Sequence, residues 1–368
     1  MKVGEYRINR PESIETPEFL VFEDMVNFNI DAVIKVCGSL DRIVPHAKTH
    51  KSKSVLKLQM DAGFRSFKCA TLREAELLLE NGVEELIFAY PLVHPKKIDR
   101  FLDLKKQYSD ASIKAIVSTP EHLDALSNAL SKSGTNLEVY IDLDTGMRRT
   151  GVQPGNEVFE FYAQAVKTSR ISVLGLHVFD GHTLYKPDYE ERKSLVDTSI
   201  DYMNRIWDYA EQNRIDVVDN LAGGSWSFHL YLREDRIRVS PGTWVYWDSR
   251  NSTMPELPFK VAAVVLGQVI DRDTGMDTVT TDVGSKSCSP DQPMNNRFTV
   301  IGHPKAELVA QSEEHGVVKL NGEKLEVGDF IFAAPGHACT TTVKFPFANV
   351  VNTEGEIVGR YDHSARDH

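Results

Sequence analysis

The chain has 368 residues, which is long for one ordinary domain and fits a barrel with a smaller second domain. Its formal net charge of −11 argues against nucleic acid as a partner, because phosphate binding needs a basic surface. No apolar run is long enough to span a bilayer, and the first residues lack the apolar core of a signal peptide. The four cysteines are widely spaced, which favours free thiols or metal ligands in a reducing cytoplasm.

Eight short apolar or β-branched runs alternate with helical patterns between residues 20 and 249. They predict strands at Arg42–Pro45, Arg65–Cys69, Leu86–Tyr90, Ile113–Val117, Leu137–Leu143, Val173–Val178, Val217–Leu221 and Thr243–Trp247. This alternation favours a parallel (β/α)8 barrel over residues 20–249. A doubly wound open sheet is the alternative that the sequence leaves open.

Two of the intervening helices carry start and stop signals. Thr71 and Glu74 form a capping box, and Gly82 supplies a left-handed stop. Thr119 is followed by a proline at the first helical position, and Gly134 closes that helix. Helices are therefore predicted to begin after each of these two threonines.

The composition changes after Asp248. Residues 250–258 form a polar linker that contains proline, and the short alternating runs beyond it are separated by glycine, aspartate and asparagine. No amphipathic helix of useful length is evident there, so residues 250–368 are predicted to form a smaller all-β domain. The extended residues 1–19 are expected to join it.

A cluster of reactive side chains, Pro45-His-Ala-Lys-Thr-His-Lys51, follows the first predicted strand. In barrels the carboxyl ends of the strands form the active-site face. A lysine such as Lys48 forms a Schiff base with a carbonyl compound when its amine is neutral. Taken alone, however, the cluster is more typical of a solvated basic loop.

Loops at other strand ends are suited to a ligand. The segments 144–151, 175–182 and 240–243 lie at the ends of the fifth and sixth strands and before the eighth. The Gly-Gly-Ser run at 223–225 follows the seventh strand, where barrels commonly bind phosphate through backbone amides and a hydroxyl. This position relative to Lys48 favours a phosphate site over an ordinary turn.

These motifs resemble the fold-type III pyridoxal-phosphate (PLP) enzymes, the alanine-racemase-like superfamily. Within it, the D-threonine aldolase and D-serine dehydratase branch is the most similar. The resemblance covers nearly the whole chain and is carried by Pro45-His-Ala-Lys-Thr-His-Lys51, Asp144-Thr-Gly-Met-Arg-Arg149, Gly223-Gly-Ser225, Pro241-Gly-Thr243, Thr281-Asp-Val-Gly-Ser-Lys286 and Pro335-Gly-His-Ala-Cys-Thr-Thr341. The first and last of these runs are the specific ones.

The resemblance implies that PLP is held as a Schiff base on Lys48, with Arg149 near its ring oxygen O3′ and Phe179 stacked on its ring. The phosphate would be lined by Gly223, Gly224, Ser225, Gly242 and Thr243. Ser240 stands where racemases place an arginine against the pyridine nitrogen. Phe179 replaces the usual histidine or tyrosine, which keeps the stacking and loses any proton transfer. Asp282 is implied as an active-site carboxylate, with a structural turn as the alternative.

His337 and Cys339 form the second informative motif. On an extended segment, residues two apart point to the same face, so both side chains can reach one ion. Imidazole with thiolate favours zinc, and two protein ligands leave positions open for water and substrate. An isolated His-x-Cys is usually a coincidence. The resemblance implies a metal here, and His-x-Cys is similar to the zinc dehydratases, whereas the aldolases more often have His-x-Asp.

The expected function is a PLP- and metal-dependent lyase on D-β-hydroxy amino acids, of the D-serine or D-3-hydroxyaspartate dehydratase type. The alternatives are a D-threonine aldolase, an amino-acid racemase and a non-catalytic PLP carrier. Racemisation needs a second proton-transfer residue, and no tyrosine occurs in residues 281–290. Carriers resemble the barrel alone, which counts against that alternative. The resemblance also implies a homodimer, and we expect a cytoplasmic protein that binds a small molecule and neither nucleic acid nor membrane.

Overall fold

The computed structural model describes residues 1–368, apart from the side chain of Tyr185. The chain forms two compact units. The barrel unit comprises residues 34–48 and 59–242, and the β unit comprises residues 1–33, 49–58 and 243–367. The domain limits expected from composition, 20–249 and 250–368, stay predictions.

The barrel unit is built on parallel strands that pair in chain order. They are Ser66–Cys69, Glu85–Phe88, Ser112–Val117, Leu137–Leu143, Ile171–Val178, Leu221–Ala222 and Arg238–Val239. Residues 43–47 close the ring, because the Val44 amide donates to the Val239 carbonyl at 2.8 Å and the Lys68 amide donates to the Pro45 carbonyl at 2.8 Å. The predicted (β/α)8 barrel is confirmed, and the open sheet is wrong.

Helices connect the strands. Those of the barrel unit are Leu72–Glu80, Pro95–Gln107, Pro120–Ser133, Glu157–Lys167, Tyr189–Gln212 and Phe228–Tyr231, while Glu23–Cys37 and Lys53–Asp61 each have residues in both units. The predicted caps are confirmed: the Thr71 hydroxyl accepts the Glu74 amide, and Gly134 ends its helix with a φ of 73°. The interior of the barrel is filled by buried apolar side chains from six of its segments, including Val44, Ile116 and Leu174.

Three predicted strands differ from the structure. The run predicted at Arg42–Pro45 begins at the end of a 3-10 turn, Leu40–Arg42, and pairs only through an isolated bridge at Ile43. The run predicted at Val217–Leu221 pairs only from Leu221, and the last strand is Arg238–Val239 instead of Thr243–Trp247. The latter run begins with a single 3-10 turn, Thr243–Val245, and the Trp247 amide donates back to the Thr243 carbonyl at 2.6 Å. Its aromatic residues are buried and resemble those of a buried strand in sequence. The backbone of this run, however, forms its hydrogen bonds locally and not with a neighbouring strand.

The β unit contains a nine-stranded sheet. Its strands are Glu18–Phe22, Ala263–Asp273, Thr278–Thr281, Phe298–Val300, Glu307–Gln311, Gly316–Lys319, Phe330–Pro335, Phe347–Val351 and Ile357–Asp362. Glu18–Phe22 lies between Ala263–Asp273 and Phe347–Val351, so an N-terminal strand does join this sheet. Lys2–Val3 and Tyr6–Arg7 form a separate two-stranded sheet. Across the described residues, no helix is long and apolar enough to cross a membrane.

Candidate active site

A cavity of about 930 Å³ opens at the carboxyl ends of the barrel strands. Its lining includes Lys48, Lys68, Arg149, His177 and Phe179, all from the barrel unit. A cavity of this size is in the usual range for small-molecule and cofactor sites. The cavity therefore lies where barrel enzymes place their chemistry.

Lys48 and Arg149 converge on one aromatic ring. The Lys48 Nζ lies 5.1 Å from the centroid of the Phe179 ring, and the Arg149 guanidinium carbon lies 4.8 Å from it. Both distances are within the range of cation–π attraction. Three residues that are distant in the sequence, and that were predicted to contact one cofactor, are thus brought together in one place.

The loop that carries Arg149 is held by Asp144. The Asp144 carboxylate accepts the backbone amides of Gly146 and Arg148 at 2.9 and 3.0 Å. Gly151 closes the loop with a φ of 107°, and a β-carbon there would lie 2.5 Å from the Asp144 amide nitrogen. The loop conformation thus depends on a glycine at this position.

The Gly-Gly-Ser loop is held by a buried aspartate that sequence reasoning did not single out. Asp180 Oδ1 accepts the Gly224 amide at 3.2 Å and the Ser227 hydroxyl at 2.7 Å, and Oδ2 accepts the Tyr231 hydroxyl at 3.1 Å. Burial raises the pKa of Asp180 in spite of the hydrogen bonds from Ser227 and Tyr231. Its position directly after Phe179 was the available signal.

The remaining residues predicted around the cofactor have defined contacts. The Ser225 hydroxyl accepts the Gly242 amide at 3.2 Å, which joins the two predicted phosphate-binding segments. The Ser240 hydroxyl is buried and donates to the Val44 carbonyl at 2.8 Å. Thr243 belongs to the β unit, where its hydroxyl lies 3.7 Å from the Cys339 sulfur.

A second group, made of Lys68 and His177 in the cavity and Asp142 behind His177, was also missed from the sequence. His177 Nδ1 lies 2.6 Å from Asp142 Oδ1, and His177 Nε2 lies 3.4 Å from Lys68 Nζ. Burial, with the charge of Lys48, lowers the pKa of Lys68 to about 7. Burial also lowers the pKa of His177, which keeps the imidazole neutral near pH 7. The signal available in the sequence was a lysine between two apolar residues, Phe67 and Cys69, in a predicted strand.

The predicted metal ligands lie in the β unit. His337 ends an extended segment, while Cys339 lies in the short helix Ala338–Thr342. The expectation that both stand on one extended segment is therefore wrong, because the chain turns at Ala338, whose amide donates to Asp248 Oδ2 at 3.2 Å. The side chains still meet, since the imidazole hydrogen-bonds Cys339.

The pair has further polar neighbours within the β unit. His337 Nδ1 lies 2.5 Å from Asp291 Oδ2, and the Cys339 sulfur lies 3.0 Å from the Thr49 hydroxyl. Burial opposes a charge on His337, but Asp291 and Cys339 outweigh it and raise the pKa of the imidazole. Nothing in the sequence around Asp291 identified it as a partner. Asp282, by contrast, accepts the Gln268 amide at 2.7 Å, as a structural turn residue does.

The residues present fit both groups that the sequence implies. In the barrel unit, an amine, a guanidinium, an aromatic face and an amide-rich loop suit an aromatic aldehyde that carries a phosphate. In the β unit, a histidine that faces a carboxylate on one side and a thiol on the other has the arrangement of a metal-binding histidine with its supporting carboxylate. The described residues hold no group of three or more histidine, cysteine or acidic side chains that could bind a metal. A two-ligand site would be open.

Comparison with known proteins matches this architecture in two segments. Residues 23–250 match the family described as "Alanine racemase, N-terminal domain", and residues 262–351 match that described as "Putative serine dehydratase domain". The chain is 25% identical over 341 residues to 3-hydroxy-D-aspartate aldolase of Paracoccus denitrificans, covering 89% of this chain and 86% of that protein.

Two solved structures share the fold. D-threonine aldolase from Filomicrobium marinum has a TM-score of 0.87 at 22% identity, covering 100% of this chain and 98% of that one. A metal-free mutant form of D-threo-3-hydroxyaspartate dehydratase has a TM-score of 0.84 at 21% identity, covering 96% and 99% of the two chains. Because the first family match spans more than half of the 368 residues, the chain belongs to the alanine racemase N-terminal-domain family.

Proposed function

We propose that the chain is a PLP-dependent lyase that acts on D-β-hydroxy amino acids and releases a keto acid and ammonia. The observation that carries this proposal is the convergence of Lys48 and Arg149 on the Phe179 ring within the cavity. The relatives named 3-hydroxy-D-aspartate aldolase and D-threonine aldolase, and the dehydratase of the same fold, support the substrate class.

The residues predicted to contact the cofactor would have different roles. PLP, when bound, withdraws electrons from the Cα of an amino acid joined to it. Lys48 would hold the cofactor covalently and, once displaced by substrate, would be the base that removes the Cα proton. Arg149 would contact the ring oxygen, and Phe179 would support the ring face. Asp180 would keep the Gly-Gly-Ser loop in place around the phosphate.

The metal residues would assist at the β-oxygen. We propose that His337 and Cys339 bind zinc, since imidazole and thiolate together favour it over harder cations. Asp291 would orient His337 through Nδ1. A Lewis acid at the substrate hydroxyl makes hydroxide a better leaving group. The metal-free form described for a dehydratase of this fold supports a metal in that protein.

Aldol cleavage is the second candidate, because the relative named 3-hydroxy-D-aspartate aldolase matches over 89% of the chain. Cleavage of Cα–Cβ needs the β-hydroxyl deprotonated, and a metal assists that step too by lowering the pKa of the hydroxyl. The resemblance of His337-x-Cys339 to the dehydratases favours dehydration. A non-catalytic carrier role is less favoured, since the chain carries a full β unit with this pair. Racemisation is less favoured because no tyrosine occurs in residues 281–290.

Product analysis tests the proposal. Purified protein with PLP and zinc is incubated with D-serine, D-threonine and D-3-hydroxyaspartate, and with their L-enantiomers as controls. We expect keto acid and ammonia from a D-substrate and no reaction of the L-forms. Glycine with an aldehyde as main products would replace dehydration by aldol cleavage. No product from any of them would count against a lyase.

We further propose that the protein is a cytoplasmic homodimer. None of the four cysteines forms a disulfide in the structure, which supports a reducing compartment. The dimer rests on the family resemblance alone. Light scattering during size-exclusion chromatography would test it, with a mass of twice 41.4 kDa expected.

A further inference from the structure

The cavity of the barrel unit is strongly cationic although the protein as a whole is acidic. Among the described residues that line it are four lysine or arginine side chains and four histidines, and none is an aspartate or glutamate. The formal net charge of the chain is −11. A positively charged cavity concentrates negatively charged ligands, even when the protein as a whole is negatively charged.

Lys68 is the most enclosed cation of this cavity. It is 2% exposed, and the only hydrogen bond of its side-chain amine among the described residues runs to His177 Nε2 at 3.4 Å, a long distance for such a bond. No described carboxylate lies within ion-pair distance of its amine. A buried amine without an anionic partner is unfavourable when charged, so this position is suited to an incoming anion.

The carboxylates nearest to Lys68 already accept hydrogen bonds from other groups. Asp142 accepts from His177 Nδ1 at 2.6 Å and from the Thr150 hydroxyl at 2.9 Å. An ionised carboxylate can only accept, so Nδ1 carries the imidazole proton and Nε2 faces Lys68 as an acceptor. Asp180 is occupied by the Gly-Gly-Ser loop. The pair Asp142–His177 therefore orients Lys68 without neutralising it.

We propose that Lys68 is a second carboxylate subsite, which selects substrates with an acidic side chain over D-serine and D-threonine. Lys48 and Arg149 are assigned to the cofactor, so Lys97 and Lys68 are the lysine or arginine side chains of the lining that remain for a substrate. The α-carboxylate of any amino acid needs one cation. With Lys97 available to it, the enclosed Lys68 remains for a second carboxylate, as in a β-hydroxy amino diacid. The inference rests on the proposed function for its substrate, but the subsite can be measured without turnover.

Binding of unreactive acids to the holoenzyme tests the subsite. Succinate and butyrate have the same number of carbons and differ by one carboxylate, and calorimetry gives the affinity of each. We expect the wild type to bind succinate at least about tenfold more tightly than butyrate, since one charge-assisted contact is worth that much. Lys68→Met should remove the preference. The control Lys96→Met, at an exposed position outside the cavity lining, should keep it.

The outcomes separate this inference from the proposed function. A succinate preference that depends on Lys68 in a protein without lyase activity would support the subsite and count against the lyase. Equal binding of both acids by the wild type would overturn the subsite, as would an equal loss of both in Lys68→Met. A shift of the cofactor absorbance in Lys68→Met, with the preference intact, would instead assign Lys68 to the cofactor. If Lys68→Met fails to fold, the test uses the succinate-to-butyrate affinity ratio of the wild type and of Lys68→Gln.

In an active enzyme the same substitution has a second readout. Lys68→Met should raise KM for D-3-hydroxyaspartate at least about tenfold while kcat changes little, because the lost contact serves binding in both the ground state and the transition state. KM for D-serine should stay within about twofold of the wild type. A parallel rise of KM for both substrates would overturn the selectivity.

Discussion

Two lysines of the cavity differ in their chemistry because their surroundings differ. Lys48 is half-buried, with its amine over the Phe179 ring. Lys68 is enclosed and faces a neutral imidazole. A lysine that forms a Schiff base with a cofactor must be accessible from the cavity. A lysine that recognises a charged group binds it more strongly in a medium of low polarity. The two positions fit the two proposed roles.

The first prediction concerns Lys48. Lys48→Ala should abolish the imine absorbance of the holoenzyme and the activity together, because no other amine is proposed to hold the cofactor. Absorbance spectra and borohydride reduction followed by peptide mapping are the measurements. Lys53→Ala, at an exposed helical position, is the matched control and should keep both signals. A borohydride-reducible imine retained in Lys48→Ala would contradict the assignment.

The second prediction concerns the stability cost of Lys68. Its pKa is lowered to about 7 from an ordinary value of 10.5. At a pH between these two values the amine is protonated in the unfolded chain and neutral in the folded chain. The cost of the buried charge is complete below pH 7 and disappears as the pH rises towards 10. Lys68→Met should therefore stabilise the cofactor-free protein at pH 7, and this advantage should shrink by on the order of 4 kcal/mol by pH 10.

Urea unfolding of both proteins across this pH range measures the difference. The Lys96→Met variant, at an exposed helical position, controls for the loss of a positive charge as such. A constant difference between Lys68→Met and wild type over the whole range would show that Lys68 keeps an ordinary pKa. The predicted slope would then be wrong.

At the scale of elements, the site depends on loops that are stabilised from outside the cavity. Asp144 holds the loop of Arg149 through two backbone amides, and Asp180 holds the Gly-Gly-Ser loop. Both aspartates accept hydrogen bonds and neither is among the residues lining the cavity. The barrel strands supply rigid anchor points, and these carboxylates determine the course of the chain between them.

The third prediction follows from this support. Asp180→Asn should weaken PLP binding at least about tenfold, because an amide cannot accept from all three donors and leaves one of them unpaired in a buried place. Fluorescence titration of cofactor-free protein with PLP is the measurement, and Asp201→Asn, exposed on the helix Tyr189–Gln212, is the control. Unchanged PLP affinity in a folded Asp180→Asn protein would contradict the positioning role.

The pairing of elements also explains why the prediction of the last barrel strand was wrong. Thr243–Trp247 has the buried aromatic residues of a strand, but its backbone turns back on itself. Arg238–Val239 is only two residues long, and such a strand has too little periodicity to be recognised. The residues that pair with it, around Leu221, are distant in sequence. Pairing, and not propensity, placed this strand.

At the scale of the whole molecule, the proposed cofactor and metal residues belong to different compact units, except for Thr243. Lys48, Arg149 and Phe179 are in the barrel unit, while His337 and Cys339 are in the β unit. Apart from the contact between Thr243 and Cys339, each group of residues has its own supporting hydrogen bonds. Removal of one ligand should therefore leave the other bound.

The fourth prediction tests this independence. Dialysis against a chelator should abolish activity while the PLP absorbance persists, and added zinc should restore the activity. Asp291→Asn should lower the metal affinity about 10- to 100-fold, because His337 loses the carboxylate that orients it. Asp271→Asn, exposed in the same unit, is the control. Full activity in protein that elemental analysis shows to be free of metal would contradict the metal site.

Local signals in the sequence determined the architecture of this protein. The capping threonines, the stop glycines and the alternation of apolar runs depend on neighbours along the chain, and they predicted the helices and the closed barrel correctly. The short motifs around Lys48 and His337 identified the family for the same reason, since each is a contiguous run.

Only the tertiary structure decided which side chains support or share the site. Asp180 behind the phosphate loop, Asp142 behind His177 and Asp291 beside His337 are all separated in sequence from the groups they contact. Lys68 acquired its role through burial and a histidine 109 residues away. Hydrogen bonds of this kind depend on which strand ends converge, and convergence is a property of the closed barrel and the folded sheet, not of any one segment.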